Sequence, residues 1–191
     1  MASDLAANYT LDEGARMERD INFGTRGEEN AEKSLLLYRD SFGEALIPLL
    51  STNLGRAVYS QEFPYNLELN GESYGMIMIE LVERNIPNLL TGAPLMQASE
   101  KQLPADAVSV SCTANTQKRS GFTQLYGSIA AYPAAERIYI EVACADGAVR
   151  IYEAFPVNDS GDADPAWESA SGYLLTLPEG IEGKVSGAYI G

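Results

Sequence analysis

Hydrophobic and polar residues recur at steps of three and four between residues 28 and 55, then alternate with a period of two along much of the remaining chain. The pattern therefore predicts one helix followed by a β-rich body. The clearest stretch is residues 137–155, where two alternating runs flank Asp146-Gly147, a dipeptide that accepts the positive φ angles of a type I′ turn. A two-residue loop there predicts Cys144 opposite Val149, Val142 opposite Ile151 and Ile138 opposite Phe155, with one face apolar on both strands. The same register sets Glu141 diagonal to Arg150. It leaves one mismatch, Ile140 opposite Glu153.

Upstream, Ala31, Leu35, Tyr38, Phe42, Ala45 and Leu49 define the apolar stripe of an amphipathic helix, with Pro48 expected to kink or end it near Ile47 and Gly55 a second stop. Residues 57–63 read as a strand. Residues 65–69 and 74–82 flank Asn70-Gly71 as a second hairpin, and a long connection with Pro87, Pro94 and Pro104 follows. Strands over 107–116 and 122–132 make a third hairpin about the polar tip 117–121. A glycine- and aspartate-rich loop containing Trp167 comes next, then closing strands over 172–177 and 184–190.

Residues 1–27 show neither period. Leu5, Tyr9, Leu11, Ile21 and Phe23 stand isolated among polar residues, the pattern of an extended arm that lies across a neighbouring subunit. The expected fold is mainly β: an antiparallel β-sandwich or flattened barrel (56–191), preceded by an N-terminal arm (1–27) and one amphipathic helix (28–55).

Charge narrows the partners. Acidic residues outnumber basic ones 27 to 13, and a net charge of -14 opposes binding to nucleic acid or an anionic membrane. No apolar run approaches the length of a membrane span, and the start has neither a basic nor an apolar leader region. A soluble protein synthesised in the cytoplasm is expected. In that setting Cys112 and Cys144 are expected as reduced thiols of the core rather than a disulfide.

Histidine is absent, which excludes Ser-His-Asp and Cys-His mechanisms and imidazole zinc sites within this chain. No P-loop, GxGxxG or CxxC motif occurs. Among the carboxylates, Glu141 and Glu153 lie on the central hairpin, and Glu153 draws notice because the expected register places it on the apolar face. Asp159, Asp162, Asp164 and Glu168 offer oxygen ligands of the kind calcium takes, although the same residue types build ordinary solvated turns, the preferred reading.

These features lead to the expectation of a non-enzymatic assembly protein without cofactor. Most specifically, it would be a minor or decoration protein of a bacteriophage particle, its partners protein subunits in a homo-oligomer or larger assembly. Two alternatives stand beside it. One is a carbohydrate-binding β-sandwich with tyrosines or Trp167 as platform and a structural calcium. The other is a glycosidase or lyase using Glu141 or Glu153.

Overall fold

The computed structural model describes residues 9–15, 22–28, 30–68, 72–129, 137–157 and 172–191. Over the described residues the chain is mainly β, with two sheets and one short α-helix. The chain divides into two compact units, one of residues 1–65 and 72–86, the other of 66–71 and 87–191. No helix among the described residues is long and apolar enough to cross a membrane.

The first unit holds a five-stranded sheet formed by β1 (Tyr9–Leu11), β2 (Asn22–Gly27), β3 (Ser34–Tyr38), β4 (Arg56–Ser60) and β5 (Met76–Ile79), in the order β1-β2-β4-β3-β5. The strands β4, β3 and β5 run parallel, whereas β2 is antiparallel to β4 and β1 to β2. A parallel neighbour requires a crossover. The chain supplies it between β3 and β4 with a 3-10 segment, Phe42–Leu46, leading into α1 (Ile47–Asn53).

Three expectations are corrected here. Residues 28–55 are not one helix: Leu35, Leu36, Leu37 and Tyr38 are all buried in β3, between β4 and β5. A parallel strand buried on both faces reads as a continuous apolar run, and that run coincided with helical spacing at Leu35, Tyr38 and Phe42. Nor does Pro48 end the helix. It sits in the first turn of α1, where the missing N–H has no partner to lose. Residues 22–27, expected as the end of an arm, are a central strand of the sheet. Phe23 is buried and stacks on Tyr59 with ring centroids 5.0 Å apart.

Below that stack, Thr25 donates to the Ser51 hydroxyl (2.9 Å), the Ser51 and Tyr59 hydroxyls share a bond of 2.7 Å, and Tyr59 donates to the Ile47 carbonyl (3.3 Å). This relay satisfies the polar atoms that β2, α1 and β4 bring into the core, and burial raises the Tyr59 pKa.

The second unit holds a seven-stranded antiparallel sheet. Its strands are β6 (Val108–Ser109), β7 (Asn115–Arg119), β8 (Phe122–Ser128), β9 (Ile138–Cys144), β10 (Val149–Val157), β11 (Gly172–Thr176) and β12 (Gly183–Ile190). The order is β6-β12-β9-β10-β11-β8-β7. Leu125 of β8, Ile140 and Val142 of β9, Tyr152 of β10, Tyr173 and Leu175 of β11, and Ala188 of β12 belong to one apolar core, to which five neighbouring strands contribute. Cys144 lies in that core, Cys112 is half-buried against it, and both thiols are free.

The β9–β10 hairpin forms where expected, but its register differs by one residue. Ala143 faces Val149, Val142 faces Arg150 and Ile138 faces Ala154. The cause is the loop. Gly147 donates to the Cys144 carbonyl, Cys144 donates to Ala148, and Gly147 has φ 85°, which gives a three-residue connection with a glycine bulge. One extra loop residue turns β10 over. Tyr152, fully buried, therefore stands opposite Ile140, and Glu153 stands opposite Tyr139, which removes the expected mismatch. Arg150 pairs with Asp146 at 2.6 Å rather than with Glu141.

Two further hairpins change partners. β5 joins β3 in parallel instead of folding back on 65–69, where Asn66 bridges to Leu95. The expected tip 117–121 is mostly strand: β7 and β8 turn at Ser120-Gly121, with φ of 50° and 87°, while β6 pairs with β12.

Candidate functional site

In the first unit, the residues that distinguish the sheet from an ordinary one lie at β5. Each of the four sheet edges among the described residues is a row of backbone groups lacking a strand neighbour, and proteins blunt such rows with brevity, charge or proline. β1 has three residues and β6 has two. β7 carries Lys118 and Arg119 and is exposed throughout. β5, with four residues, is the longest of the four to carry neither charge nor proline. Its sequence is Met-Ile-Met-Ile, and Met76 and Ile77, on opposite faces of the sheet, are 57% and 38% exposed.

The edge is also held firmly. At its start Arg56 donates to Glu72 at 3.1 Å and lies 5.4 Å from the centroid of the Tyr74 ring, while the Tyr74 hydroxyl bonds to Glu72. Burial and the Glu72 carboxylate push the Tyr74 pKa up to about 12. At its end the Asp40 carboxylate accepts the amides of Phe42 (2.7 Å) and Val82 (2.9 Å), and Glu80 accepts the amide of Asp40 (3.2 Å). A side chain at Gly43 would place its Cβ 2.6 Å from the Glu80 carboxylate, so the clasp needs glycine there. Burial raises the Asp40 pKa, but the amides of Phe42, Val82 and Gly43 and the charge of Arg84 outweigh it, and the net shift is downward. Its carboxylate therefore fixes the exits of β3 and β5.

In the second unit, Glu141 and Glu153 share the face of the sheet opposite the core. Because Glu141 faces Ile151 and Glu153 faces Tyr139, the two are diagonal neighbours, about 7–8 Å apart at the backbone. A bulge between Val185 and Gly187 sets the Ser186 hydroxyl on Glu141 (2.7 Å), and the Tyr189 hydroxyl donates to the same carboxylate (3.3 Å). The Glu141 charge, more than burial, raises the Tyr189 pKa. Glu153 lies between Lys101 (3.7 Å) and Arg137 (3.8 Å), at the rim of an open groove of about 360 Å³ bordered by Met96, Ala98 and Phe155. The corrected register thus moves Glu153 off the apolar face and into an ion-paired surface position.

The other expected residues divide. Asp159, Asp162, Asp164 and Glu168 lie outside the described residues, as do Leu5 and Ile21. Among the described residues no cluster of carboxylates or thiols is arranged to hold a metal. Tyr9 and Leu11 lie on the edge strand β1, and Phe23 is committed to the core of its own chain. The β5 edge was not singled out from sequence. Its signal was a charge-free Gly-Met-Ile-Met-Ile run in a strongly acidic chain, which the expected hairpin had placed beside 65–69.

No family model matches the chain, and neither the characterised proteins nor the solved structures compared with it contain a similar one.

Proposed function

We propose that this chain is a non-enzymatic assembly protein that associates through the open edge of β5. The observation that carries the reading is the wholly apolar Met-Ile-Met-Ile edge, fastened at both ends and the longest uncharged edge strand among the described residues. A strand added to such an edge gains main-chain hydrogen bonds from the backbone and burial from Met76 and Ile77. A bacteriophage particle, in which this chain would be a minor or decoration subunit, is one form of such an assembly.

The test is the mass of the full chain in solution across a concentration series, by light scattering, beside the variant Ile77→Lys. Association of the full chain that the variant loses, with melting unchanged, supports the reading. A full chain that is monomeric throughout, or a variant that associates equally well, overturns it.

A further inference from the structure

Resting on that reading, we infer that the partner of β5 is β5 of a second copy, paired antiparallel about a twofold axis that passes between the two Met78 residues. The direction of the backbone fixes the register. Glu80 donates its amide to the Tyr38 carbonyl at 2.8 Å, so at Glu80, and by alternation at Met78 and Met76, the N–H and C=O point toward β3. Those of Ile77 and Ile79 point to the open side, where the sheet has no further strand among the described residues. In an antiparallel ladder, outward-pointing residues must stand opposite each other. A twofold that uses both of them twice sets Ile77 opposite Ile79 of the copy, forming four main-chain bonds, with Met78 opposite Met78 at the axis.

The side chains of the edge agree with β5 of a second copy as the occupant, against the repulsion between two chains of net charge -14. Residues 75–79 carry no charge in a chain of net charge -14, so this stretch gives a charged partner strand nothing to pair with. In the twofold register Glu80 lies opposite Met76 rather than opposite its own counterpart, which keeps the two carboxylates apart. The apolar Ile77 and Ile79 meet on one face. A twofold contact is also closed, which ends association at the dimer unless another surface is used.

The experiment is oxidative cross-linking of the full chain carrying Met78→Cys, with Ile77→Cys and the unmodified chain as controls, in parallel with light scattering. Residues opposite each other at a non-hydrogen-bonded position have Cα atoms about 4.5 Å apart, within disulfide reach, whereas the two residues at position 77 are displaced along the strands. The Met78→Cys chain is expected to form the linked dimer at least about tenfold faster than the Ile77→Cys chain. Should Met78→Cys fail to fold, amide exchange of the unmodified chain decides: slower exchange of Ile77 and Ile79 at high than at low concentration is expected. A dimer in which the Ile77→Cys chain links faster, or in which those amides stay unprotected, overturns the twofold register while leaving assembly through another arrangement standing. A monomer at every concentration overturns both.

Discussion

Asp40 and Glu80 clasp each other's strands: the Asp40 amide donates to the Glu80 carboxylate at 3.2 Å, while the Asp40 carboxylate accepts the amide of Val82 at 2.9 Å. The two residues follow parallel strands and together fasten the edge strand β5 to β3. Asp40→Asn turns an amide donor toward one of the N–H groups the carboxylate accepts, and a lost bond to a charged group costs roughly 1.5–3 kcal/mol. Urea unfolding should show that loss at neutral pH. The sign with pH follows from the lowered Asp40 pKa: its contribution is full above about pH 5 and disappears as pH falls through the folded-state value. The gap between wild type and variant should therefore close in acid. A gap that persists undiminished at pH 2 would contradict the assignment.

Phe23 belongs to the core and not to a detachable arm. Its ring is 5% exposed and stacked on Tyr59, so Phe23→Ala should cost about 3–5 kcal/mol, read by thermal or chemical unfolding. Tyr59→Phe should cost about 1–3 kcal/mol, since it removes the hydroxyl that Ser51 meets in the interior. A chain starting at Glu28 loses β1 and β2 together and should fail to fold its first unit, visible as lost amide protection in β3 and β4. Dispensability of residues 1–27 for folding would refute the placement of β2.

The hairpin register makes a separate prediction at Gly147. A Cβ built there meets nothing within 4 Å, so the cost of Gly147→Ala is the left-handed backbone alone, φ 85°. That strain is worth roughly 1–2 kcal/mol. Calorimetry should find the loss, with the seven-stranded sheet retained. An Ala variant as stable as the parent would contradict the left-handed backbone at Gly147.

The mainly β character and the position of the β9–β10 hairpin were legible in the sequence because alternation and turn chemistry agreed locally. Register was not, because Asp146-Gly147 serves both a two-residue loop and a three-residue loop with a glycine bulge, and only the packing of Tyr152 against the core separates them. The first unit was misread for a different reason. Parallel strands lack a sharp alternating signature, so Leu35 and Tyr38 fitted a helical stripe as well as a doubly buried strand. That error hid the crossover through α1, and with it the fact that β5 returns parallel to β3 and ends the sheet. The carboxylates Glu141 and Glu153 were found by residue type, but Ser186 and Tyr189 beside Glu141 depend on a bulge whose one sequence mark is Gly187 inside the closing strand.

Charge gives the association through β5 a dependence on salt. Each copy carries a net charge of -14, so two copies repel, while residues 76–79, which make the β5 contact, carry no charge to form an ion pair. Raising the ionic strength from about 0.01 M to about 1 M shortens the screening length from about 30 Å to about 3 Å and removes most of that repulsion. Dimerisation should therefore strengthen with added sodium chloride, the reverse of an interface held by salt bridges. Sedimentation at several salt concentrations reads the trend directly. Ile77→Lys should stay monomeric in high salt, because screening relieves repulsion but does not restore the apolar contact that the lysine replaces. Association that weakens as salt rises would assign the contact to ion pairs elsewhere on the surface and count against β5.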